Sequence, residues 1–189
     1  MELRLTAEER AAILELEREG VLQEVRGNLF ATPNGIIDIT CGDCDQSDIT
    51  KRIRSTIILS GEKDRVHELK LNGGGIRLAP GTPFSSPDLF GDLIESSRLK
   101  KISEVVLCGH VPCGKARAHA LSMPSLVDHL IRAKMHVHAS VAEQNTNMRF
   151  VCLLHIDHGQ DYRRHDQPHR KQLRFISRGD WERVKTHFF

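Results

Sequence analysis

Apolar residues along this chain recur in two rhythms. Short runs of β-branched and aliphatic residues alternate with longer stretches where apolar positions return every three or four residues. Ile36-Ile37-Asp38-Ile39-Thr40-Cys41 reads as a buried strand opened by the turn residues Pro33-Asn34-Gly35. Ser55 to Leu59 is a second short β-prone run. His67 to Leu71 alternates as a strand does and runs into Asn72-Gly73-Gly74-Gly75. Glu104 to Cys108 and Arg149 to Leu154 are core strands, and Gln172 to Ile176 is a candidate fifth. The helical rhythm occupies about 6–26, where Thr6 and Glu9 have the spacing of a capping box. It returns over 87–101, with Leu89, Phe90, Leu93, Ile94 and Leu99 as its apolar side, and over 124–145. Asp180 is placed to cap a last short helix through His187. The first helix packs on its own domain or on a partner, and its pattern does not choose.

Strands alternating with helices predict an α/β fold: one domain over 1–189, built on a mainly parallel sheet of four or five strands flanked by helices. Such sheets hold ligands outside the carboxyl ends of their strands. Composition narrows the function classes. No apolar run approaches the roughly 18 residues of a membrane span. Net charge is +2, from 27 basic and 25 acidic residues, and aromatics are 5%. Neither value supports a nucleic-acid or membrane surface, so neither is expected as a partner. Met1 to Arg10 carries acidic residues and no apolar segment of a signal peptide, so the expected location is cytoplasmic. There, five cysteines point to metal binding or chemistry before disulfides.

Two core strands end on chemically loaded residues. The first runs into Cys41-Gly42-Asp43-Cys44, the other into Cys108-Gly109-His110-Val111-Pro112-Cys113-Gly114. Cys41, Cys44, His110 and Cys113 are ligands of the kind zinc prefers. Parallel packing of the two strands brings their ends together. The same residues are also compatible with small buried thiols and a satisfied histidine. Cys44 adds a third reading, a closed structural site of three thiolates and one imidazole. Cys108 and Cys152 sit inside apolar strands as inert core thiols. His136 and His138 fall on different faces of the long helix. His155, His158, His165 and His169 cluster with Arg163, Arg164, Arg170 and Lys171 and read as a solvated loop.

Cys41-x-Asp43 followed downstream by Gly109-His110-x-x-Cys113-Gly114 resembles the β-class carbonic anhydrases. That family carries Cys-x-Asp-x-Arg after its first core strand and Gly-His-x-x-Cys-Gly after a later one. Gly74 to Gly81 resembles the Arg-x-Ala-Gly stretch between them. The likeness runs over about residues 6 to 155, and the His/Arg-rich part from about 157 to 189 has little that matches. The resemblance implies Zn²⁺ held by Cys41, His110 and Cys113, with Asp43 beside the metal as the catalytic carboxylate. It implies reversible hydration of CO2 to bicarbonate by a zinc-bound hydroxide. It also implies a homodimer or higher even-numbered oligomer, the N-terminal helix crossing to its neighbour.

One position departs from the pattern. Asp45 stands where the family has the Arg that holds the Asp off the metal. Either Asp43 moves onto zinc as a fourth ligand and closes the site, or another cation such as Arg52, Arg54 or Arg77 replaces the missing partner. Two alternative functions follow. One is a zinc-binding, carbonic-anhydrase-like protein without turnover. The other is a hydrolase of a related small electrophile such as carbonyl sulfide.

Overall fold

The computed structural model describes residues 4–26, 34–43, 48–57, 65–143, 147–159 and 170–189. Helix α1 (Ala7–Arg18) starts as the capping box predicts: Thr6 Oγ1 accepts from the Glu9 amide, and Glu9 returns a carboxylate oxygen to the Thr6 amide. It buries Ile13 and Leu16 within its own chain, against α5 (Met123–Glu143) and β1 (Leu22–Glu24). The helix does not continue to 26. Gly20, at φ 74°, reverses the chain, and Leu22 enters a sheet opposite Ile176. A residue with positive φ ends a helix at little cost only when it is glycine.

Among the described residues, six strands form one sheet in the order β1-β6-β5-β4-β2-β3. Strands β2 (Ile36–Thr40), β3 (Val66–Lys70), β4 (Glu104–Val111) and β5 (Arg149–Asp157) are parallel, as expected. The sheet is larger than the four or five strands expected, because β1 pairs antiparallel with the expected fifth strand, β6 (Lys171–Ile176), which is itself antiparallel to β5. The edges are therefore β1, three residues long, and β3, on which Glu68 and Lys70 are exposed.

The β-prone run at Ser55 lies in a helix. Helix α2 (Ile49–Ile57) includes Ser55, Thr56 and Ile57, because Ile49 and Ile53, one turn apart, are both buried against the sheet. Tertiary burial outweighs the weak β preference of branched residues; residues 58 and 59 lie outside the described residues. At the far end, Ser177 rather than Asp180 caps helix α6 (Arg178–Val184), accepting from the Asp180 amide. Helix α3 (Pro87–Lys100) forms where expected and buries Leu89 and Leu93, but Leu99, expected on its apolar side, is exposed.

Side chains alternate across the sheet and build two cores. Ile37, Ile39, Val105, Leu107, Cys152 and Leu154 face α3 and α5. Ile36, Val106, Cys108, Val151 and Leu153 face α2. Asp38 also belongs to the α2 side by this alternation and has no exposed surface. Thr50 Oγ1 donates to its Oδ2 at 3.1 Å, while Oδ1 has no partner among the described residues. Burial pushes its pKa from 3.8 up to about 7.

A short 3-10 helix (Gly74–Leu78) plugs the space beside β2 and β4. Gly74 has φ 56°, and a Cβ there would meet Cys108 O at 2.6 Å and Cys41 N at 2.8 Å. Both are backbone atoms of the strands that end at the cysteines, so they have no side-chain freedom to yield.

Gly74→Ala is expected to cost about 3 kcal/mol in urea unfolding. Gly81→Ala, also at positive φ but in open space, is expected to cost only about 1 kcal/mol. Asp38 has a second signature. Its raised pKa makes the folded state prefer the protonated acid, so this contribution is complete below about pH 4 and is lost as pH rises toward 7, by up to about 4 kcal/mol. Asp38→Asn should match wild type in stability near pH 4 and exceed it increasingly up to pH 7. Parallel unfolding curves at all pH values would contradict this.

Candidate metal centre

Strands β2 and β4 are adjacent and parallel, with Ile39 opposite Leu107, so both chains leave the sheet at the same end. Cys41 follows β2 directly. Its Sγ accepts the Gly73 amide at 3.2 Å, and Gly42 and Gly74 both donate to Leu71 O, tying this turn to the glycine segment. His110 stands inside β4, one residue before its end. Cys113 begins helix α4 (Gly114–Ala118) as its N-cap residue.

These three residues converge. Their donor atoms all lie within 4.8 Å of one another, and all three side chains are buried. Donors around tetrahedral zinc lie about 3.8 Å apart or slightly less, so closing on one ion requires shifts of about 1 Å at most. Two sulfurs and one imidazole nitrogen are a donor set that suits zinc. The unsatisfied state of the histidine points the same way. His110 is 1% exposed, and neither ring nitrogen has a hydrogen-bond partner among the described residues. Its ring lies close enough to Cys41 to favour the thiolate without meeting hydrogen-bond geometry. A buried imidazole lacking any partner is costly unless something else engages it.

The two thiols behave as a pair. Hydrogen bonding from Cys113 brings Cys41 down to about 4, against the opposing effect of burial. The same contact, with burial, pushes Cys113 upward, while the Ala116 and Lys115 amides favour its thiolate. The contact thus favours the thiolate on Cys41 and the thiol on Cys113. Cys108 and Cys152 are different. Burial raises Cys108 well above the usual thiol range and Cys152 to about 12, which agrees with inert core thiols.

A cleft of about 420 Å³ opens beside the cysteines, lined by Cys41, Gly42, Asp43, Asn72, Gly114 and Lys115. Asp43 is half-buried on this wall and stands outside the trio of converging donors. Cys44 and Asp45 lie outside the described residues, as do His165, His169, Arg163 and Arg164. Arg52 is engaged elsewhere: its Nε donates to Asp48 at 2.7 Å. Arg54 is exposed, and Arg77 donates to the Asn72 carbonyl from the glycine segment.

The sequence pattern misses three contributors. Asn72 and Lys115 line the cleft, and their only signal is adjacency to the glycine run and to Cys113. His155 is not in a solvated loop. It lies in β5, fully buried, opposite His110. Burial lowers its pKa to about 4, Asp48 opposing and Lys171, His110 and Arg52 reinforcing. Nearby, burial works against the Asp48 carboxylate, but Lys171 and Arg52 hold it down at about 2. His158 is half-buried and pairs with Gln172. His136 and His138 are both exposed.

No protein-family model matches the chain, and no curated protein sequence matches it. Among solved structures, β-carbonic anhydrase isoform I of Trichomonas vaginalis matches at 14% identity and TM-score 0.43, over 87% of this chain and 94% of its own. The β-carbonic anhydrase CafA of Aspergillus fumigatus matches at 15% identity and TM-score 0.42, over 96% of this chain and 95% of its own. An apo form of carbon disulfide hydrolase matches at 12% identity and TM-score 0.34, over 78% and 82%. In architecture the chain is similar to the β-carbonic anhydrases, and in sequence it stands far from the solved ones.

Proposed function

We propose that this chain is a zinc-dependent, carbonic-anhydrase-like enzyme that interconverts CO2 and bicarbonate, acting in a reducing, cytoplasmic setting as an even-numbered oligomer. The observation that carries the reading is the convergence of buried Cys41, His110 and Cys113 at the ends of two parallel strands, with a carboxylate-bearing cleft beside them. Zinc held there supplies an acidified water as a nucleophile near neutral pH. The thiolates of Cys41 and Cys113 would offset the charge of the dication, and the His110 imidazole would be the third protein donor.

Asp43 supplies a carboxylate on the cleft wall, where it accepts a hydrogen bond from the attacking water and aligns it with the carbon of CO2. Lys115, on the same wall, offers positive charge to the anionic product. The glycine segment keeps its backbone close against Cys41.

A second reading, zinc binding without turnover, is favoured by Arg52. That cation is held by Asp48 and so does not replace the Arg missing at position 45. In that state Asp43 would close the site as a fourth ligand. Stopped-flow CO2 hydration on protein of known zinc content separates the two. Hydration well above the buffer rate, rising with pH, supports the enzyme. Full zinc with no hydration supports the closed site, and the same preparation is then assayed with carbonyl sulfide.

His110→Ala and Cys113→Ser are expected to lose most of their zinc by elemental analysis and to be less stable, since metal binding and folding are linked. Cys44→Ser is expected to keep its zinc. Retention of full zinc in both ligand variants would overturn the assignment. Asp43→Asn should retain zinc and lose about 10²-fold or more in kcat. A variant with unchanged kcat would remove Asp43 from the mechanism.

A further inference from the structure

His155 is a buried imidazole to which the metal centre, as described so far, gives no task. The parallel register sets it directly opposite His110 on the neighbouring strand, with both side chains on the α2 face of the sheet. It is 0% exposed, and both of its ring nitrogens lack hydrogen-bond partners among the described residues. With His110, this makes four unsatisfied ring nitrogens on two adjacent strands. Such a pair is poor packing in a chain that holds nothing, and it becomes sensible once one ring is a ligand.

A neutral histidine that gives one nitrogen to an ion carries its proton on the other. That N–H, buried here, requires an acceptor. Two polar side chains flank His110 on this face. Thr40, on β2, falls beside Cys108, two residues short of His110, because Ile39 pairs with Leu107. His155 is in register with His110 itself. Behind His155 stands Asp48, held by Arg52 at 2.7 Å and by Lys171 at 2.9 Å, with Lys171 also 3.6 Å from Asp157. A neutral imidazole has one acceptor and one donor nitrogen, which suits a place between an N–H and a carboxylate.

We propose that His155 is a positioning residue for the metal centre: it takes the hydrogen bond of the non-ligating nitrogen of His110 and fixes that ring's tautomer and angle, with the Asp48–Arg52–Lys171 group behind it. The proposal rests on the zinc reading above. Metal ligands are commonly held this way, and loss of such a partner costs about 10- to 100-fold in metal affinity.

The test uses the full chain with cobalt(II) as the metal, titrated in competition with a chelator and read by its visible absorption. Wild type is expected to bind one cobalt with thiolate-to-metal charge-transfer bands. His155→Ala should bind about 10- to 100-fold more weakly with altered ligand-field bands. His155→Gln, which keeps an acceptor, should recover much of the loss, and Thr40→Val should behave as wild type. Thermal unfolding of the metal-free variants gives the readout that separates positioning from packing. Weaker cobalt binding with unchanged metal-free stability supports the proposal, and if His155→Ala does not fold, His155→Gln carries the comparison. The proposal is overturned if His155→Ala binds cobalt with wild-type affinity and spectrum. It is also overturned if metal-free and loaded forms lose equal stability, or if Thr40→Val takes the loss instead. If wild type itself binds no cobalt, the metal centre falls first, a result distinct from all the others.

Discussion

The parallel register of β2 and β4 is the constraint on which the site depends. Cys41 and Cys113 each lie just past the end of a strand, and His110 lies just before one. None of these positions brings ligands together by local sequence. They meet because two neighbouring strands run the same way in a register that lets Cys41 leave β2 beside the last residues of β4. The 3-10 segment then seals the junction: its glycines lie against the backbone of both strands, where no side chain fits. The geometry is therefore a property of the main chain first and of the side chains second.

The two faces of the sheet are not equivalent. The face toward α3 and α5 is an apolar core of ordinary kind. The face toward α2 carries Asp38, Thr40, His110, His155 and Asp157 among its apolar residues, and polar atoms of the first four lack partners among the described residues. Buried polar groups without partners are the exception in folded proteins and concentrate where function imposes them. Here they lie beside the ligand histidine. The cleft opens on the side of Asn72 and Lys115, so in the proposed reading one set of residues would meet reactants while another would support His110.

Much of this arrangement was legible in the residues. β2 and β4 are short runs dominated by apolar, mostly β-branched residues, and the motif at each end carries its own chemistry. The start of α1 was legible because capping is local. What escaped was set by distant partners. Ser55-Thr56-Ile57 has branched side chains suited to a strand, but Ile49 and Ile53 bury one helical face. Leu22 looked like a continuation of α1 until Ile176 gave it a partner. His155 was grouped with the charged residues that follow it. The period-two pattern of Val151, Leu153 and His155 was the available signal, and its neighbour on β4 could be known only from the register. The trio of Cys41, His110 and Cys113 was readable; the wall formed by Asn72 and Lys115 was not, since a cleft is a relation between elements.

The two ends of the sheet have a consequence for how copies of this chain can meet. A free sheet edge is a row of unpaired amides and carbonyls that a second molecule can extend. Here one edge is only three residues long, and the other exposes the opposite charges of Glu68 and Lys70. Neither offers a long flat template, so strand-to-strand fusion between molecules is discouraged at both ends. An assembly of this chain would be cemented by side chains from its helices and loops, and its subunits could then separate without any sheet being torn.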